Sequence, residues 1–172
     1  MYGANNQTTS GGYAYGVGTK VIRGGYAYGS LDSAKDGGLA FGHLNTVDGV
    51  SGTEATLAFG RSNIATTDGI AFGERNTVSN HGLAFGANNV SSGFRSSALG
   101  TGMTVTGTNS VGIGLLNTNS GTVSDPNTFS VMGGKTGLGV VSVGANYQLE
   151  VGGNINTAGT GDYYRQGKRL YN

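Results

Sequence analysis

Leu57-Ala58-Phe59-Gly60, Ile70-Ala71-Phe72-Gly73 and Leu83-Ala84-Phe85-Gly86 are three copies of one four-residue phrase: apolar, alanine, aromatic, glycine. Toward the N-terminus the phrase continues as Leu39-Ala40-Phe41-Gly42, Tyr26-Ala27-Tyr28-Gly29 and Tyr13-Ala14-Tyr15-Gly16. Toward the C-terminus it degenerates into Ser97-Ala98-Leu99-Gly100 and Val111-Gly112-Ile113-Gly114. The closing glycines stand at 3, 16, 29, 42, 60, 73, 86, 100 and 114, so the step is 13 or 14 residues except between Gly42 and Gly60, where it is 18. A unit this short cannot bury a core alone. The period therefore predicts a solenoid of stacked rungs, one that pairs with copies of itself.

Within the phrase, the β period of two sends the residues flanking alanine to one face and alanine to the other. Three positions after the glycine stands an asparagine (Asn6, Asn45, Asn63, Asn76, Asn89, Asn117), read as a turn residue that tolerates left-handed backbone. Two positions further on comes a second apolar site: Val21, Val47, Val78 and Val105. Gly12, Gly25, Gly38, Gly69 and Gly82, four before the closing glycine, supply the other corner. Each rung reads as strand, glycine turn, shorter strand, second turn. Thirteen or fourteen residues suffice for a flattened two-sided β-roll but fall short of the roughly 18 of a three-sided β-helix. So thin a roll shelters few side chains, and three rolls around an axis would remedy this.

Composition agrees. Thirty-five glycines in 172 residues, with one proline and no Gly-X-Y register, mark repetitive β turns rather than a collagen rod or a disordered chain. Helix is disfavoured, because no glycine-free window carries apolar residues at i, i+3, i+4 and i+7. A net charge of +1 with 11% charged residues argues against a nucleic-acid partner. No apolar run reaches the roughly 20 residues of a membrane span, so no membrane insertion is expected. The absence of cysteine leaves the compartment open. Because Tyr2-Gly3 is the tail of a repeat, the chain reads as a piece of a longer array.

After Asn117-Thr118-Asn119-Ser120-Gly121-Thr122 the pattern breaks, and Pro126 marks a junction. The expected organisation is a repeat domain over 1–116, a linker over 117–128 and a small β-rich, trimeric C-terminal region over 129–172. Alternating stretches at 138–144 and 147–156 read as strands of that last part.

Two families are resembled. The motif running from Ser97-Ala98-Leu99-Gly100 to Asn109-Ser110-Val111-Gly112-Ile113-Gly114 resembles the head repeats of trimeric autotransporter adhesins. That resemblance covers about residues 2–116 and implies a left-handed parallel β-roll packed as a homotrimer. The 13-residue steps and Tyr-Ala-Tyr-Gly variants depart from the usual serine-rich form. The stretch from Leu149-Glu150-Val151-Gly152-Gly153-Asn154-Ile155-Asn156 through Tyr163-Tyr164-Arg165-Gln166-Gly167-Lys168-Arg169-Leu170 resembles the segment before the intramolecular chaperone domain of bacteriophage tail fibres and tailspikes. That implies a virion tail fibre acting outside the cell in host attachment, with a bacterial surface glycan or protein as partner. The alternative is an adhesin head on a bacterial outer surface, although no heptads for its stalk are present. A polysaccharide-degrading tailspike is disfavoured, since it needs a carboxylate pair in a groove and the nine acids are scattered.

Chemistry is sparse. His43 and His81 stand apart from any metal-ligand spacing. Gly133-Gly134-Lys135-Thr136 resembles a phosphate loop, but Phe129 replaces its first glycine. Asp is too rare for the calcium repeat of β-rolls. No enzyme activity, cofactor or metal is expected. The candidate recognition residues are of two kinds. The step of 18 inserts five extra residues, so that Asp48-Gly49-Val50-Ser51-Gly52-Thr53-Glu54, with Asp48, Ser51, Thr53 and Glu54, reads as a projecting loop or a neutral insertion at a turn. Tyr163, Tyr164, Arg165, Lys168, Arg169 and Tyr171, repeated threefold, would crowd a distal tip. There they either contact anionic glycans or knot the trimer together. Tyr13, Tyr15, Tyr26 and Tyr28 are expected to fill the core with their hydroxyls at the rim; the alternative is an aromatic surface for sugars. Arg23 over Asp36, Asp68 over His81 and Arg61 beside Glu74 predict stacked charge pairs that hold the register.

Overall fold

The structure, a computed structural model, describes residues 1–49, 56–116, 121–138, 149–151, 164–165 and 168–169. Among them there is no helix. The chain divides into two compact units, Met1–Gly134 and Lys135–Asn172.

The first unit is a parallel β-solenoid. One sheet joins ten strands in chain order: β1 (Tyr2–Ala4), β3 (Tyr13–Val17), β5 (Tyr26–Ser30), β7 (Leu39–His43), β9 (Leu57–Arg61), β11 (Ile70–Glu74), β13 (Leu83–Ala87), β15 (Ser97–Thr101), β17 (Val111–Gly114) and β19 (Phe129–Met132). The other joins nine shorter strands: β2 (Gln7–Thr9), β4 (Lys20–Ile22), β6 (Ser33–Lys35), β8 (Thr46–Asp48), β10 (Ile64–Thr66), β12 (Thr77–Val78), β14 (Val90–Ser91), β16 (Met103–Val105) and β18 (Gly121–Val123). The repeated phrases lie beside one another in the register their alignment demands. Ala14 pairs with Ala27, and Ala71, Phe72 and Gly73 pair with Ala84, Phe85 and Gly86.

The core lies between the two sheets and is narrow. Ala14, Ala27, Ala40, Ala58, Ala71, Ala84 and Ala98 project inward from the long strands, all at most 2% exposed. Val21, Ala34, Val47, Ala65, Val78 and Val105 meet them from the short ones. The bulky face of the phrase points outward: Tyr13 is 65% exposed, Tyr28 54% and Phe59 53%. Tyrosine therefore does not fill the core as expected. So short a rung brings the sheets close enough to interlock alanine with valine, and an aromatic ring has no room between them.

The glycines and asparagines also differ from their sequence reading. The closing glycines lie within strands rather than in turns, with φ of +134° at Gly16 and +112° at Gly73. A Cβ at Gly73 would run into the Gly86 carbonyl oxygen, and the same holds from Gly16 to Gly29. The turn itself belongs to the next residues. Leu31, Leu44, Ser62, Arg75 and Asn88 take the left-handed backbone, φ +55° to +58°. Each donates its N–H to the neighbouring rung, as from Leu44 to Ser30 O at 3.0 Å and from Arg75 to Arg61 O at 2.9 Å.

The asparagines that follow point inward and form a ladder. The Asn63, Asn76 and Asn89 main-chain N–H groups donate to Asn45, Asn63 and Asn76 Oδ1 at 3.0–3.1 Å. Asn76 Nδ2 donates to Phe72 O and Gly86 O, both at 2.9 Å. One side chain thereby closes the turn on its own rung and ties it to both neighbours.

The sheets run on past 116. Within the expected linker, β18 keeps the register, Val123 closing the core over Val105, and β19 pairs with β17. Pro126 stands in the corner between β18 and β19, with Asn127 beside it at φ +55°. A corner needs no ladder donor there, so proline is accommodated and the solenoid continues. The unit boundary falls after Gly134.

In the second unit, β20 (Thr136–Leu138) pairs with β21 (Leu149–Val151) in parallel, and β22 (Tyr164–Arg165) pairs with β23 (Lys168–Arg169) antiparallel. The expected strand stretches over 139–148 and 152–156 lie outside the described residues.

Candidate functional site: the outward aromatic face

The bulky side chains at the first and third positions of the strands in the ten-stranded sheet stand outward in two columns. One runs Tyr13, Tyr26, Leu39, Leu57, Ile70, Leu83, Ser97, Val111, Phe129. The other runs Tyr2, Tyr15, Tyr28, Phe41, Phe59, Phe72, Phe85, Leu99, Ile113, Val131. Neither column holds a charged residue.

Parallel in-register pairing places each ring above its counterpart. Tyr2–Tyr15, Tyr15–Tyr28 and Phe72–Phe85 centroids are 4.8, 4.7 and 4.7 Å apart, and Tyr13–Tyr26 5.2 Å. Offset stacks of this kind contribute about 0.5–1.5 kcal/mol per pair beyond burial. The spacing widens to 6.4 Å at Tyr28–Phe41 and 6.2 Å at Phe41–Phe59, where the rings tilt. Beside that gap the glycine column leaves a trough of about 460 Å³ lined by Tyr28, Gly29, Phe41, Gly42, Phe59 and Gly60.

Charge lies beside these columns, at the corners and at strand ends such as Lys35, Asp48, Arg61 and Glu74. Arg23 forks onto Asp36, with Nη2–Oδ2 at 2.6 Å. This hydrogen bond and the guanidinium charge hold the Asp36 carboxyl below the usual carboxylate range against the opposing effect of burial. His81 Nε2 lies 3.4 Å from Asp68 Oδ2, and Arg61 Nη1 3.7 Å from Glu74 Oε1. All three pairs predicted from the stacking alignment are thus present. Lys35–Asp48, at 2.8 Å, follows the same thirteen-residue offset and was legible by the same rule, though it is not among the pairs read from the sequence.

Asp48 is not in a projecting loop. It is the last residue of β8, flanked by Lys35 and Thr66 in the sheet, because the pairing continues one rung on either side of it. Ser51, Thr53 and Glu54 lie outside the described residues, as do Tyr163 and Tyr171. Tyr164 opposes Arg169 and Arg165 opposes Lys168 across the β22–β23 pair, so four of the six C-terminal candidates share one short antiparallel element. Among the described residues no group of three or more His, Cys, Asp or Glu comes together as metal ligands would.

In comparisons with known proteins, no family model matches this chain, nor does any curated protein or solved structure. Fold and surface therefore define its class, a parallel β-solenoid with two outward columns of aromatic and aliphatic side chains.

Proposed function

We propose that this chain is part of a homotrimeric attachment fibre of the bacteriophage tail-fibre kind. In this reading left-handed rolls with rungs of 13 to 14 residues pack their aromatic faces around a common axis, and a C-terminal tip meets a bacterial surface. The observation that carries the reading is the outward aromatic face itself. Ten strands at about 4.8 Å spacing and roughly 10 Å of strand spanning the two columns make it on the order of 500 Å² in plan, at the upper end of the apolar patches that monomers expose. Its occupant is a further copy of the chain. Identical uncharged columns with a rung-length repeat match one another along their whole length, and charged rims on either side disfavour slippage. The trough at Gly29, Gly42 and Gly60 receives ring edges from the neighbouring copy.

The attachment role rests on the C-terminal resemblance and on the pairing that brings Tyr164, Arg165, Lys168 and Arg169 together. Adsorption of labelled protein to a panel of bacterial strains tests it. The expected result is saturable binding to some strains that falls at least tenfold in the Arg165→Ala, Arg169→Ala double variant while the assembly mass is unchanged. Equal adsorption by wild type and double variant would refute a receptor contact at the tip. Dissociation of the double variant would assign these residues to holding the copies together.

A further inference from the structure

The asparagine ladder has one acidic rung. Counting three residues past each closing glycine, the slot holds, among the described residues, Asn6, Thr19, Asp32, Asn45, Asn63, Asn76, Asn89 and Met103. Asp32 is 1% exposed. Its Oδ1 behaves as an asparagine oxygen does, accepting from Asn45 N at 2.8 Å and Asn45 Nδ2 at 3.0 Å. Its Oδ2 is buried and has no hydrogen-bond partner, the only such side-chain oxygen or nitrogen among the described residues.

The orphaned oxygen stands where the other rungs place an amide nitrogen. A Cβ on the preceding closing glycine would lie 2.6 Å from Asp32 Oδ2 at Gly29. It would lie 3.1 Å from Asn45 Nδ2 at Gly42 and 3.2 Å from Asn89 Nδ2 at Gly86. From that place Asn45 Nδ2 donates to Phe41 O at 3.0 Å and Gly60 O at 2.9 Å. The register puts Tyr28 O and Gly42 O in the corresponding positions around Asp32. Carbonyl oxygens offer no hydrogen, so an ionised carboxylate there would set acceptor against acceptor in a dry interior.

We propose that Asp32 is carried as the neutral carboxylic acid in the folded chain, its Oδ2 hydroxyl donating to one of the two main-chain carbonyls that the asparagine amide serves in other rungs, so that this rung is a pH-sensitive point in the solenoid. The surrounding charges do not supply a counter-ion. Lys35 of β6 is engaged by Asp48 of β8, and Lys20 of β4 is exposed. Tyr26 and Tyr28 of β5 are on the outward columns. Burial pushes the Asp32 carboxyl above its ordinary range. The Asn45 main-chain and side-chain hydrogen bonds, the Gly42 main chain and the charge of His43 on β7 all act the other way and do not overcome it.

The sign follows from linkage. With its folded pKa raised above the unfolded value of about 3.9, Asp32 contributes stability that is fully present below that value and lost as pH rises through the folded pKa. The infrared spectrum of the folded protein at pH 7 tests the protonation directly. The expected result is one protonated-carboxyl band, absent in Asp32→Asn and retained in Asp36→Asn. Above about pH 4, the unfolding constant per chain of wild type should rise relative to Asp32→Asn by up to about tenfold per pH unit until the folded pKa is passed. Absence of that band from wild type at pH 7, or a stability difference between wild type and Asp32→Asn that does not change with pH, would overturn the proposal.

Discussion

Two glycines show how differently one residue type serves this chain. Gly73 has φ +112°, and a side chain there would strike the Gly86 carbonyl. Gly24 has φ +79° at a corner, and a methyl group added there would meet nothing within 4 Å. Gly73→Ala combines backbone strain with a collision against the next rung's main chain and should cost about 3 kcal/mol per chain or more. Gly24→Ala incurs only the left-handed penalty of about 1 kcal/mol. Guanidinium unfolding of the two variants measures both, and equal costs would mean that the in-strand glycines are not packed rung on rung. The sequence marks both glycines as turn residues. Composition and spacing cannot separate a glycine required by φ at a corner from one required by close approach inside a strand, because the distinction lies in what the next rung presents.

At the scale of the element, the asparagine ladder is what converts a turn into a stack. Asn76→Ala removes a donor to Phe72 O and to Gly86 O and takes away the acceptor of the buried Asn89 N–H. One buried N–H left unsatisfied costs about 1–3 kcal/mol and each of the two other hydrogen bonds lost about 0.5–1.5 kcal/mol, so the loss should be roughly 3 kcal/mol. Hydrogen exchange should show it concentrated in the amides of β11 and β13. Uniform loss of protection across both sheets would show instead that the solenoid unfolds as one body. The strands, their parallel register and the stacked ion pairs were legible in the sequence because each follows from the repeat spacing alone. Which face of the strand is interior was not. Alternation divides Leu57 and Phe59 from Ala58 but does not say which side another sheet will cover. Hydrophobicity pointed to the bulky side, whereas the narrow cross-section selects alanine. Asp32 was invisible for a similar reason, since an acidic residue in a polar slot reads as a surface turn until the slot proves to be buried.

For the whole molecule, an alanine and valine interior leaves the largest apolar side chains outside, where the proposed trimer would cover them. Altering the rings should therefore act on association rather than on the fold of the single chain. Phe72 is not part of the interior between the two sheets, so Phe72→Asp should leave the β signature of the single chain intact while destroying self-association. The most direct test of this account is sedimentation equilibrium on wild type and Phe72→Asp at matched concentration. The account predicts three times 17.3 kDa for wild type and a dissociated 17.3 kDa species for the variant. A wild type that is folded and stays at 17.3 kDa throughout would contradict it.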